Sequence, residues 1–246
     1  MTEFSNSYGA LPGRRDAPSV RRISRVAEQL GDALRGQVVF IGASLLPLME
    51  TEENVLSASR ATDDVDAVTV TASYSKKCDF EQALRARDFR NDVRDGAHLD
   101  RWRTPDGVTF DCVSCGAHVG GTGNADDLWV ITHAVETDLP PRVRHASAVG
   151  LLLLKCAAYR DRGGTSPITS KDLSDIATLL ATRPQLPDEV AAARQPVRAR
   201  LVEACRSLVE NRRVVAAIRS HIDSRQPLYD GVDDLVLERM KRIASA

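Results

Sequence analysis

Three aspartates, Asp63, Asp64 and Asp66, crowd into four positions of "ATDDVDAVTV", immediately ahead of an alternating apolar run. In an extended strand successive side chains leave opposite faces, so Asp64 and Asp66 share one face with about 6 to 7 Å between their Cα atoms. Two carboxylates held that way can share a hard divalent cation. Magnesium or manganese prefers oxygen ligands, sits on one or two carboxylates and completes its shell with water and phosphate oxygens. Asp63 points off that face and is the lesser candidate. A solvated acidic turn at the start of a strand is the other reading of the same pattern. Further along, Asp111 interrupts the apolar stretch "VTFDCVSCG". A charge buried there without a partner is costly. Asp111 therefore faces water from an edge strand, or it lies beside Asp64 and Asp66 on a neighbouring strand. In the second arrangement three carboxylates converge and could clamp two cations about 3.5 to 4 Å apart, a geometry suited to phosphoryl-group chemistry.

Two other segments could hold phosphate. In "FIGAS", Gly42 ends an apolar strand and Ser44 stands where a helix begins, so free N–H groups and a hydroxyl can point at one spot. An ordinary helix cap is the alternative. In "LLLLKCAAYRDRGG", Lys155, Tyr159 and Arg162 recur at i, i+4 and i+7, a polar stripe on a helix whose leucines imply burial on most sides. A lysine in that company either meets an anion or snorkels to solvent. Cys112, Cys115 and His118 in "CVSCGAH" come nearest to a zinc motif, with His133 as a conceivable fourth ligand. A second spaced pair is missing, and buried strand cysteines account for the pattern. The five cysteines form no disulfide framework and are expected to be reduced.

The elements that must position these groups follow from periodicity. Residues 1–18 are polar with Gly and Pro and read as a flexible tail. Apolar residues from Val20 to Leu34 repeat at helical spacing. "QVVFIG" and "VDAVTVTA" read as strands, "DFEQALRARDF" as a helix opened by Asp79, "HLDRWRT" and "GVTFDCVS" as strands around a "PDG" turn, and "LWVITHAVET" as another strand. Beyond "DLPPR" every periodic segment is helical: 146–162, 170–181, 187–194, 197–222 and 232–243. The expected organisation is α+β: a tail (1–18), a mixed-sheet domain with flanking helices (19–140) and a helical bundle (141–246).

Composition narrows the function classes. The chain has 246 residues, 43% hydrophobic, and a formal net charge of −1, which suits a folded core and excludes a uniformly basic nucleic-acid-coating surface. The opening residues lack the apolar core of a signal peptide, and no apolar run is long enough to cross a bilayer, so a cytoplasmic location without membrane partners is expected. Basic candidates for RNA contact are Arg21, Arg22 and Arg25 near the start, and Arg194, Arg198, Arg200, Arg206, Arg212 and Arg213 in the last helices. A solvated helix face is the other reading of the latter set.

The order of these motifs resembles the AbiEii/AbiGii family of nucleotidyltransferase toxins, which includes the MenT toxins, over residues 36 to 182. A glycine-serine loop (Gly42, Ser44) is followed by Arg60 and Thr62 ahead of "DDVD", then "FDCVS", "KCAAYRDR" and "KDLSDIATLL". The lysine motif is matched by Lys155, Ala158 and Arg162, with Cys156 where the family has leucine. The last motif falls on Asp172 and Asp175, followed by Ile176 where the family has leucine. The resemblance implies a DNA-polymerase-β-like nucleotidyltransferase fold and a magnesium-dependent (or manganese-dependent) enzyme. It would transfer NMP from an NTP to an acceptor hydroxyl, the 3′ end of tRNA, as the toxin of a toxin–antitoxin pair with a cognate antitoxin. Asp64, Asp66 and Asp111 would then hold metal, with Asp111 completing the acidic site or helping to deprotonate the acceptor. Gly42, Ser44, Arg60, Thr62, Lys155, Tyr159 and Arg162 would bind the nucleotide, and Asp172 would act as a base. A small-molecule nucleotidyltransferase, like those that modify aminoglycosides, and a non-catalytic nucleotide-binding member of the fold are the alternatives.

Overall fold

Val38, Val39 and Phe40 are all buried, and their β-branched and aromatic character favours an extended, doubly covered strand. They form β1 (Val38–Ile41), which lies inside a seven-stranded mixed sheet. The other strands are β2 (Asp64–Val70), β3 (Arg90–Asn91), β4 (Arg101–Arg103), β5 (Thr109–Cys115), β6 (Val135–Glu136) and β7 (Arg144–His145), in the order β3-β4-β5-β2-β1-β7-β6. β2 runs parallel to β5 and β1 parallel to β7, and the remaining pairs are antiparallel. The computed structural model describes residues 14, 16–52, 55–56, 62–94, 96–116, 124–137, 140–162, 166–224 and 227–246. Among these it is α+β with ten α-helices, and none is long and apolar enough to cross a membrane.

The chain divides into two units, Met1–Met49 with Thr62–Ala146, and Glu50–Ala61 with Ser147–Ala246. In the sheet unit, helix α1 (Pro18–Arg35) buries Val20, Ile23, Val26, Ala27, Leu30 and Leu34, the expected helical stripe. A short 3₁₀ turn, Ala43–Leu45, and α2 (Leu46–Met49) follow β1. Helix α3 (Tyr74–Arg85) is capped by Ser73, whose hydroxyl accepts from Lys76 N–H. The expected opening at Asp79 falls inside the helix instead, where that carboxylate pairs with Lys76 at 3.1 Å. α3 covers one face of the sheet: Phe80 lines a cavity of about 10 Å³ with Thr69, Trp102, Cys112 and Ser114. Phe110 on that face is fully buried, with ring centroids 5.6 Å from Phe89 and 6.5 Å from Phe40.

Three expected boundaries move. "LWVITHAVET" is not one strand but helix α4 (Ala125–Thr132) followed by the two-residue β6. Asn124 Oδ1 accepts from Asp126 N–H at 2.9 Å, and Asp126 and Asp127 fill the first turn, so cap and dipole outweigh the β-branched composition. The division expected at residue 140 falls after Ala146, because Ala146 N–H still bonds Phe40 C=O at 2.9 Å beside β7. The helix expected over 197–222 is two, α8 (Val197–Glu210) and α9 (Arg212–Asp223), since Asn211 ends one and caps the next.

The second unit holds α5 (Ala148–Asp161), α6 (Lys171–Thr182), α7 (Leu186–Ala192), α8, α9 and α10 (Val232–Ala244). Every residue of α6 from Asp172 to Thr182 is buried. Its carboxyl end is satisfied by the buried Arg239, which donates to the carbonyls of Leu180 and Ala181 at 2.7 Å each and to Glu52 at 3.1 Å. That arrangement answers the orphan carbonyls any helix terminus leaves. Residues 51–52 belong to this unit because both their N–H groups donate to Thr182 C=O.

Truncating the aromatic centre of the sheet unit, Phe110→Ala, should cost about 3–5 kcal/mol. A matching fall in the urea midpoint for the sheet unit is the expected result.

Candidate active site

Register brings the sheet carboxylates together. Asp66 stands directly opposite Asp111 across parallel β2 and β5, and Asp64 lies opposite Thr109. Directly paired residues in a ladder share a face. Asp64 and Asp66 are two apart on one strand, so all three carboxylates emerge on the face opposite Phe110. Their oxygens lie within 4.8 Å of one another, each residue half-buried. Among the described residues this is the one group of three or more ligating side chains so arranged. The donor set is all carboxylate, without sulfur or imidazole, which fits magnesium or manganese rather than zinc. β5 lies between β4 and β2, so the alternative of Asp111 on an edge strand does not hold.

Arg101, which belongs to none of the motifs above, completes the row. It pairs with Asp111 across β4 and β5 and donates Nε to Oδ1 at 2.8 Å and Nη2 to Oδ2 at 2.6 Å. Nη2 also lies 3.7 Å from Asp64 Oδ2. The hydrogen bonds to Asp111 hold the guanidinium pKa above its ordinary value, with Asp64 adding to the attraction. One of the three negative charges is thus balanced from within the sheet. A signal was present in the sequence: any hairpin closed at "TPDGV" pairs Thr104 with Val108, and counting outward sets Arg101 against Asp111.

The glycine turn meets the triad. Gly42 has φ +82°, and a Cβ there would lie 2.0 Å from Asp66 Oδ2. Only a residue without a side chain lets the backbone approach that carboxylate. Two residues on, Ser44 is fully buried and its Oγ has no hydrogen-bond partner among the described residues. A buried hydroxyl left that way calls for a ligand or water. Thr62 is buried and donates its hydroxyl to Asp64 Oδ1. Arg22 donates to Thr62 C=O at 2.7 Å and to the exposed Asp63 at 3.0 Å, so both Arg22 and Asp63 serve to fix the start of β2. Arg60 and His118 lie outside the described residues. Cys112 and Cys115 are three apart on β5 and therefore face opposite ways, which removes the shared-metal reading for them. Burial pushes the Cys112 thiol pKa up, keeping it protonated.

In the helical unit the polar stripe is already paired. Lys155 Nζ lies 2.8 Å from Asp175 Oδ2 and 3.3 Å from Asp172 Oδ1, and Arg162 Nη1 lies 2.5 Å from Asp172 Oδ2. Both oxygens of Asp172 are thereby engaged by cations, and Asp175 is fully buried. Two positive and two negative groups balance each other. Arg162 nonetheless keeps 72% of its side chain exposed. It lines an open cavity of about 270 Å³ with Tyr159, Ser166, Thr169, Ser170, Lys171 and Asp172. Burial raises the Tyr159 phenol pKa, leaving it a neutral donor. Of the distal arginines, Arg206 donates to Glu203 and to Ala244 C=O, and Arg198 to Ala191 C=O, the pattern of a solvated helix face.

No protein-family model and no curated protein matches this chain.

Three substitutions test this geometry. Gly42→Ala should leave the fold intact but displace Asp66 and abolish Mn²⁺ binding measured by paramagnetic resonance. Lys155→Ala leaves the buried Asp175 without its cation and should cost about 3–5 kcal/mol. Arg162→Ala, at an exposed group, should cost less than about 1 kcal/mol. Thermal unfolding of both variants checks the contrast.

Proposed function

We propose that this chain is a magnesium-dependent nucleotidyltransferase of the DNA-polymerase-β-like superfamily, akin to the AbiEii/AbiGii toxins it resembles. The observation that carries the reading is the meeting of Asp64, Asp66 and Asp111 beside a glycine turn that holds a buried serine with no hydrogen-bond partner among the described residues. Carboxylates for a hard cation next to backbone shaped for close approach are what transfer of a nucleoside monophosphate requires.

In this reading Asp64 and Asp66 hold the cation, and Thr62 fixes the orientation of Asp64 by donating to it. When bound, the cation would neutralise phosphate charge as it shifts toward the departing pyrophosphate. Arg101 already occupies both oxygens of Asp111. That favours one shared cation at Asp64 and Asp66 over two. Gly42 keeps the approach to Asp66 open, and the Ser44 hydroxyl donates to a phosphate oxygen. The acceptor hydroxyl attacks the α-phosphorus, its proton passing to a carboxylate of the triad. The new O–P bond forms as the α–β bridging bond breaks, and pyrophosphate leaves. In the helical unit Asp172 positions Lys155 and Arg162 rather than acting as a base, since both its oxygens are engaged. Arg162 and Tyr159 serve as donors to an anion in the cavity they line.

The acceptor proposed is the 3′ end of tRNA, and the biological role that of a toxin restrained by a cognate antitoxin. Incubating the protein with labelled nucleoside triphosphates, magnesium and total tRNA should label RNA. Asp66→Ala should lower that signal by on the order of a hundredfold or more. Label on a small-molecule hydroxyl but never on RNA selects the aminoglycoside-like alternative. Nucleotide binding without pyrophosphate release selects a non-catalytic module.

A further inference from the structure

The face of the sheet that carries the triad continues across β4 and β3 as arginine. Arg101 is paired with Asp111, Arg103 with Thr109, and Arg90 with Arg103. Because paired residues share a face, Arg90, Arg101 and Arg103 stand on the side of Asp64, Asp66 and Asp111. Trp102, between two of them, is buried on the other side. Like charges directly opposed across strands are destabilising. Arg90 against Arg103 is such a pair, kept at the outermost strand of the sheet.

The local anions do not balance it. Arg103 lies 4.0 Å from Asp92 Oδ2 and donates to Gly107 C=O at 2.7 Å. Asp92, however, is taken by Arg94, whose Nε donates to its two oxygens at 2.8 and 3.1 Å. That hydrogen bonding holds the Asp92 carboxyl at about 2, so the pair stays closed throughout the neutral range. Arg90 is exposed and, among the described residues, pairs with no acid. Among the described residues of this edge, Arg94 and Arg103 approach the one carboxylate of Asp92, and Arg90 adds a further positive charge. The loop joining β3 to β4 exposes Val93 and Leu99 by 92% and 93%, apolar side chains that bases can cover.

We infer that the β4–β3 edge is a track for a single-stranded polynucleotide, its phosphodiester backbone crossing Arg103 and Arg90 toward the triad. The inference rests on the nucleotidyl-transfer reading and gives its acceptor an approach. Charge complementarity selects the occupant: an acidic centre repels a polyanion unless cations flank it, and here they stand on the same face. β2 and β3 are three strand spacings apart, about 14 Å. A few nucleotides span that length, and a small-molecule acceptor has no use for so distant a cation.

The test is fluorescence anisotropy of a labelled short single-stranded RNA on the full chain. Calcium replaces magnesium to prevent turnover, and potassium chloride is varied. The double variant Arg90→Ala with Arg103→Ala should bind about tenfold or more weakly at low salt. Its slope of log affinity against log salt should be shallower by about 1.4, two contacts at ~0.7 each for a single strand. Arg90→Glu, at an exposed position, serves as the second variant and should weaken binding in the same direction. Absence of RNA binding by the unmodified protein, or unchanged affinity and slope in both variants, overturns the track and leaves these arginines as guards of an open sheet edge. The two readings fail separately. Arginine-dependent RNA binding without nucleotide transfer sinks the enzyme and keeps the track. Transfer to RNA with an unaltered KM in the double variant does the reverse.

Discussion

Asp66 and Asp111 face each other across two hydrogen-bonded parallel strands, and the sheet must accommodate their repulsion. With Asp64 two residues away, like charges separated by at most 4.8 Å repel by roughly 3 to 4 kcal/mol per pair at an effective dielectric of ~20. Cations held close by offset that repulsion. Arg101 compensates one carboxylate from the neighbouring strand. The remaining excess of negative charge is what would favour a divalent ion here in the proposed reading, and the parallel β2–β5 pairing is what creates it.

Much of the surrounding architecture holds that pairing in place. Phe110 and Trp102, neighbours in sequence of Asp111 and of Arg101, are anchored in the core under α3, so the polar residues beside them are driven to the opposite face. The tight turn at Gly107 fixes the β4–β5 register and with it the Arg101–Asp111 bond. Gly42 brings the turn after β1 against Asp66 from the other flank. The helical unit handles charge differently: Lys155 is matched to Asp172 and Asp175 inside a closed network. Its expectation as a free phosphate grip met a physical obstacle, since a lysine among leucines needs an anion and α6 supplies two.

What could be read from the residues was the local part. Alternation around Asp64 and Asp66, the apolar stripe of α1 and the helical periodicity after residue 146 each depend on short-range spacing. The choice between the two placements of Asp111 is not legible, because a parallel pairing joins strands separated by more than forty residues and leaves no turn to count from. Arg101 was legible, since a hairpin does leave such a turn. The strand expected at "LWVITHAVET" fails for the reverse reason: β-branched composition favours it, but the Asn124 cap and the two acids behind it are the stronger local signal. Ser44 stands out in the sequence by its position after glycine, but the burial of its hydroxyl with no partner among the described residues is a tertiary property. The pairing of Lys155 with Asp175 likewise joins two helices whose packing no local pattern encodes.

Anomalous diffraction from crystals soaked in manganese addresses the sheet carboxylates most directly. One strong peak at coordinating distance from Asp64 and Asp66, with Arg101 still bridging Asp111, is the expected result. Manganese bound elsewhere, with this face left empty at saturating metal, would contradict the account.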